Sequence, residues 1–154
     1  MDIIRHCNIT QEQLNDIARL KAKAWPGYSV RQHIRWMESN LKYKDYHIML
    51  NDNGLKAYMN IFTKWVILDS KETVVYGSGN LCSLGTGYGF ILLKQLPLHE
   101  GYFGFCKPEL LRYYQLLGWK AGLNVCMPNV DLVNYIAISY NLQFNQLTYL
   151  DGRF

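Results

Sequence analysis

The segment from Val74 to Leu96, VVYGSGNLCSLGTGYGFILLKQL, constrains the fold more than any other part of the chain. An apolar run of β type breaks at Gly85-Thr86-Gly87-Tyr88-Gly89 and passes directly into an apolar helical segment. It predicts strand, glycine turn and helix, in that order. Glycines let the backbone turn tightly with its N–H groups converging, and the positive end of the following helix dipole adds to the same spot, so a phosphate is the natural guest. Steric need alone in a tight strand-to-helix connection would select the same glycines. Two familiar phosphate loops are excluded. No Gly-Lys-Ser/Thr follows the glycines, and GxGxG is not GxGxxG. Antiparallel hairpins, rather than the first strand of a βαβ unit, precede the turn.

With 154 residues, nearly half of them hydrophobic, the chain can bury a core of its own, and one domain over 1–154 is expected. No run approaches the ~20 apolar residues of a membrane span. Met1-Asp2-Ile3-Ile4-Arg5-His6 lacks the basic and apolar regions of a signal peptide, so a cytoplasmic protein with no membrane partner is expected. Cys7, Cys82, Cys106 and Cys126 form no CxxC pair, and His6, His33, His47 and His99 show no ligand spacing. Reduced, buried thiols and no metal are expected. The net charge of +4 includes Lys21, Lys23, Arg31, Arg35, Lys42 and Lys44 in the first third. That suits an anionic cofactor or partner, and a solvated helix face explains it equally well. Without a basic cluster or an RNA motif, a nucleic-acid role is disfavoured.

Read in order, residues 2 to 7 alternate as a first strand. Thr10 with Gln13 forms a capping box, and Leu14, Ile17, Ala18 and Ala24 mark one face of a helix that stops before Pro26. Ser29 with Gln32 repeats the box, and Val30, Ile34, Met37 and Leu41 recur at helical spacing. From Tyr46 the period changes. His47 to Leu50 is a β run, Asp52-Asn53-Gly54 a hairpin turn, Leu55 to Leu68 a long strand, and Asp69 to Glu72 the turn into the Val74 strand. A third helix runs through Phe90, Leu93 and Leu96 and ends at Pro97. Tyr102 to Cys106 is a buried strand. Pro108 opens a fourth helix carrying Leu110, Leu111, Tyr114 and Leu117, which Gly118 closes. Leu123 to Met127 and Tyr135 to Leu150 read as further strands.

Two segments in this order resemble the GNAT superfamily of acyl-CoA-dependent N-acetyltransferases. The strand, loop and helix from Gly79 through Leu81-Cys82-Ser83-Leu84-Gly85-Thr86-Gly87-Tyr88-Gly89-Phe90 to Leu93 resembles the family's cofactor-binding segment. Leu111-Arg112-Tyr113-Tyr114-Gln115-Leu116-Leu117-Gly118-Trp119 is similar to its Phe-Tyr-Glu-Lys-Leu-Gly-Phe motif. The element order matches over nearly the whole chain. The resemblance implies an α/β (α+β) GNAT-like fold, a mixed and mostly antiparallel sheet of six to seven strands with about four helices on both faces. It also implies transfer of an acetyl group from acetyl-CoA to a primary amine in a ternary complex.

Residue by residue, the resemblance implies that the backbone of Leu81, Cys82 and Ser83 pairs with pantetheine. The amides of Gly85, Thr86, Gly87, Tyr88, Gly89 and Phe90 would hold the pyrophosphate. Tyr114 matches the tyrosine that protonates the departing thiolate, and a phenol of pKa about 10 suits a thiolate of about 8 to 9. Leu84 stands where the family's pattern has Arg or Gln, and the turn is several residues shorter. Trp25, Tyr28 and Trp36 lie where the family contacts its acceptor, as a substrate wall or as core anchors. The surroundings Phe105-Cys106-Lys107-Pro108-Glu109 are similar to aminoglycoside-type members, which favours a small amine or antibiotic over a protein lysine or N-terminus.

Several roles stay open. The Val74 strand offers Ser78, Asn80 and Ser83 but no carboxylate, so the general base is Glu38, Asp45, His47 or a water relay. Cys82 and Cys106 flank the expected splay point, but no neighbouring His or Asp supports a nucleophile there, and buried cysteine is ordinarily structural. A degenerate GNAT fold acting as a binding or regulatory module is the alternative to an enzyme. Edge strands expected near the C-terminus could pair across a homodimer.

Overall fold

The computed structural model describes residues 1–97, 100–121, 124–126 and 134–149. The expected positions His99, Leu123, Met127 and Leu150 lie outside them. By contacts the chain divides into two compact units, residues 1–62 with 80–96, and residues 63–79 with 97–154.

In the first unit, β1 (Asp2–Arg5) pairs antiparallel with β2 (Tyr46–Asn51), which pairs antiparallel with the N-terminal part of β3 (Leu55–Leu68). The first strand is shorter than expected, because the chain turns into a 3-10 helix at His6–Asn8. Both expected capping boxes form. Thr10 starts α1 (Gln11–Ala24) and Ser29 starts α2 (Val30–Asn40), each hydroxyl accepting from the backbone N–H three residues on while the glutamine side chain accepts from the cap N–H. Each box satisfies two amides that a helix start leaves without partners. Leu14, Ile17 and Ala18 of α1 and Met37 of α2 are buried, whereas Ala24 is exposed. Residues 47–50 are buried at four successive positions, so both faces of β2 are covered.

Asn53 and Gly54 between β2 and β3, and Asp69 and Ser70 between β3 and β4 (Lys71–Ser83), all have positive φ. That is the backbone of the tight primed turns whose twist matches paired strands. The loop after β4 leads into α3 (Tyr88–Lys94), which ends before the expected Leu96. The Gln95 N–H already bonds the Leu92 and Leu93 carbonyls, and Pro97 disfavours helical backbone at the residue before it.

In the second unit, β4 pairs in parallel with β5 (Tyr102–Cys106) from Tyr76↔Tyr102 to Ser78↔Gly104. At Gly104 a Cβ would lie 2.5 Å from Ser78 Oγ and 2.9 Å from its carbonyl oxygen, so only glycine allows this approach. The fourth helix departs from expectation. Pro108–Leu110 is a 3-10 turn, and α4 proper is Leu111–Gln115. Gly118, at φ 85°, still makes the left-handed turn that ends it. Four strands follow: β6 (Lys120–Ala121), β7 (Asn124–Cys126), β8 (Ile136–Tyr140) and β9 (Gln146–Tyr149). The strand β8 pairs antiparallel with β5 and β6, β9 pairs antiparallel with β3, and β7 pairs in parallel with β9. Val66, Val75, Phe103 and Leu147 form this unit's core. Nine strands are described against six to seven expected, and the architecture is the expected mixed, mostly antiparallel sheet with four α-helices among the described residues. None of those helices is long and apolar enough to cross a membrane.

Candidate functional site

In the glycine loop, Gly85 and Gly87 have φ of 70° and 94°, and a Cβ on either would meet nothing within 4 Å. They are required by backbone conformation, and the outer side of the turn is open. The Leu84 N–H is already committed to the Lys56 carbonyl at 2.7 Å. The helix begins at Tyr88, and the first amides of a helix have no intrahelical acceptors. Gly87 itself is the cap residue, and it brings no side chain that could occupy them.

The three aromatic residues at the junction of α1 and α2 come together. Trp25, Tyr28 and Trp36 line one cleft of about 430 Å³ in the first unit. Four residues not singled out from the sequence for an acceptor share it: Lys21, Gln32 and His33 from the two helices, and Asn80 from β4. Lys21 is 2% exposed. Its Nζ lies 4.2 Å from the Trp36 ring centre and 5.8 Å from that of Trp25, and donates to Asn80 Oδ1 at 3.3 Å. Asn80 has φ 54°, a left-handed kink within β4 that L residues rarely adopt. His33 is 7% exposed, and its Nε2 is buried with no hydrogen-bond partner among the described residues. One signal could have revealed Lys21. It falls three and four residues after Ala18 and Ile17 on the apolar stripe of α1, where a solvated lysine does not belong.

Burial lowers the Lys21 pKa from 10.5 to about 8, against a smaller opposing effect of Cys82. The native state therefore binds fewer protons than the unfolded chain at alkaline pH, and the buried charge costs stability at neutral pH that returns as pH rises through 8 towards 10.5. The cost is roughly 3 kcal/mol. Replacing Lys21 with Met is accordingly expected to raise Tm at pH 7 by about 5 °C or more, measured by thermal unfolding. An unchanged or lower Tm would mean that the ring contacts and Asn80 fully compensate the charge.

The proposed bases do not lie in this cleft. Glu38 is exposed. Asp45 is buried and accepts the Lys42 N–H at 2.8 Å, the role of a turn-closing carboxylate. His47 is fully buried, with Nε2 2.9 Å from His6 Nδ1 and Nδ1 3.0 Å from the Tyr58 hydroxyl. Burial, then the nearby His6 and Lys21, lower its pKa to about 3, so it is a weak base.

The cysteine expectation needs correction. Cys82 and Cys106 are buried but Cys7 and Cys126 are exposed, and all four are free. Cys7 follows the early end of β1, and Cys126 ends a three-residue strand, so neither is covered. Burial pushes the Cys82 thiol up to about 12 and raises that of Cys106, which removes both as thiolate nucleophiles at neutral pH.

In the second unit Tyr114 packs edge-on against Tyr113 and Trp119, each 5.5 Å away between ring centres. Burial raises its pKa well above the usual phenol range, with Cys106 and Tyr113 adding to the effect. The phenol is therefore protonated at every pH at which the protein would be assayed. The close match to a thiolate expected from an ordinary phenol is lost, while the proton itself is secured.

No family model matches the sequence, and no curated protein matches it. Solved structures do match. An acyl-CoA N-acyltransferase from Pseudomonas aeruginosa is 18% identical with TM-score 0.62, over 90% of this chain and 97% of that one. An aminoglycoside 6′-acetyltransferase type Ii is 13% identical with TM-score 0.63, over 93% and 99%. An aminoglycoside 6′-N-acetyltransferase complexed with coenzyme A is 11% identical with TM-score 0.62, over 90% and 94%. The fold of this chain is that of the GNAT acetyltransferases.

Proposed function

We propose that the protein is a GNAT-type N-acetyltransferase that moves the acetyl group of acetyl-CoA to a primary amine on a small molecule. The glycine loop carries the reading. Its two left-handed glycines are open on their outer side and lead straight into the first turn of α3, which fits a pyrophosphate held by backbone donors. Bound acetyl-CoA supplies the activated acetyl group as a thioester, open to direct attack by the acceptor nitrogen.

The chain's own residues do the rest. The amides from Gly85 to Phe90 hold the pyrophosphate. The backbone of Leu81, Cys82 and Ser83 pairs with the pantetheine arm, and its N–H groups polarise the thioester carbonyl. The parallel register between β4 and β5 ends at Ser78↔Gly104 and the kink at Asn80 follows, in keeping with a strand that leaves its neighbour. Trp25, Tyr28 and Trp36 hold the acceptor, so that much of the acceleration comes from proximity. As the C–N bond forms and the C–S bond breaks, Tyr114 gives its proton to the leaving sulfur, while the proton lost by the acceptor nitrogen passes to water, from which Tyr114 is reprotonated.

Leu84 favours the second reading, a fold that has lost catalysis and serves as a binding module, because it offers no side-chain contact to a phosphate. Thiol release from acetyl-CoA in the presence of a panel of amines separates the two. Amine-dependent release is expected; a rate equal to the amine-free background for every amine would leave the binding module.

A further inference from the structure

We propose that the acceptor is an amine carrying a carboxylate on an aromatic or apolar body, with the carboxylate against the Lys21 ammonium and the body against Trp25 and Trp36, and that it is not a polycation of the aminoglycoside kind. The inference rests on the acceptor reading of the cleft given above.

Three observations carry it. None of the described residues lining the cleft is a carboxylate, whereas two, Lys21 and His33, are cationic when protonated. A ligand with several ammonium groups would bring like charges together in a site with nothing negative to receive them. Cys82, the other titratable group that acts on Lys21, is a neutral thiol at neutral pH.

Second, the Lys21 ammonium has no anionic partner among the described residues. It has three donors, one of which reaches Asn80 Oδ1 while the Trp36 ring face lies at 4.2 Å. A buried charge is costly unless paired, and because Lys21 lines the cleft a ligand carboxylate held there can complete the pair.

Third, His33 complements the other end of such a molecule. The Nε2 of His33 is buried with no hydrogen-bond partner among the described residues, and a neutral imidazole can present such a nitrogen as an acceptor. Burial, and then Lys21, lower the His33 pKa, which keeps the ring in this accepting form. It can take an N–H from the ligand's amine. The rings of Trp25 and Tyr28 stand 6.2 and 5.8 Å from that of His33, an apolar surround for the body between the two polar ends.

The test reads binding without acetyl-CoA, through quenching of the protein's tryptophan fluorescence. Phenylalanine and phenethylamine form one probe pair, leucine and isopentylamine a second, and kanamycin is the polycation. In each pair the acid is expected to bind about ten- to a hundredfold tighter than the amine lacking the carboxylate, the range of a charge-assisted hydrogen bond, and kanamycin more weakly than either. Lys21→Met should erase the preference while the protein remains folded by thermal unfolding.

Equal binding within the pairs, tighter binding of kanamycin, no binding of any probe at millimolar concentration, or a preference that survives Lys21→Met would each overturn the proposal. The same preference with no thiol release would sink acetyl transfer and leave the cleft assignment standing. Release driven best by kanamycin or by the simple amines would do the reverse.

Discussion

Replacing Tyr114 with Phe is expected to lower kcat for acetyl transfer by ~10²-fold or more, the usual contribution of a positioned general acid, with little change in acetyl-CoA affinity. The substitution removes one oxygen and keeps the ring that packs against Tyr113 and Trp119, so the local fold should survive. The raised phenol pKa adds a second expectation. This group should contribute no alkaline limb to the pH profile of kcat in the assayable range, because it does not lose its proton there. Steady-state kinetics of both forms, with Kd for acetyl-CoA measured by titration, checks both points. An unchanged kcat would remove Tyr114 from the mechanism.

The second large effect is on stability in acid. The folded pKa of His47 lies near 3 against 6.5 for an exposed histidine, because burial and the neighbouring His6 and Lys21 disfavour its charged form. Between those two values the unfolded chain binds a proton that the native state does not. Stability from this group is thus complete above about pH 6.5 and is lost as pH falls towards 3, by roughly 2 kcal/mol at pH 5 and about 5 kcal/mol in full. Urea unfolding of the protein and of His47→Gln from pH 7 to pH 4 measures it. The variant keeps a polar side chain beside Tyr58 without the titration, so its stability should fall less steeply over that range. Parallel curves would mean that His47 is not the group being protonated.

Much of the frame was legible because local chemistry decided it. Thr10 with Gln13 and Ser29 with Gln32 were written as capping boxes and formed as such, and Leu55–Leu68 and Tyr102–Cys106 came out as strands at the expected bounds. Gly118 closed its helix because a left-handed residue was needed there. The misses lie where local rules compete. Pro108 fits a 3-10 turn as readily as an α-helical one, and the two-residue strand Lys120–Ala121 depends on a partner distant in the sequence. In the candidate site, Trp25, Tyr28 and Trp36 were legible from their place at the helix junction. Lys21 and His33 were not, because charged and polar residues on helices are ordinarily solvated, and only packing turned these two inward.

The measurement that bears most directly on acetyl transfer is thermal unfolding of the purified protein with and without millimolar acetyl-CoA, with ATP as an anion control. A native state that binds acetyl-CoA gains stability by mass action, and an increase in Tm of several degrees specific to acetyl-CoA is the expected result. No increase, or one shared equally with ATP, would contradict the account and reduce the glycine loop to a plain turn or a general anion site.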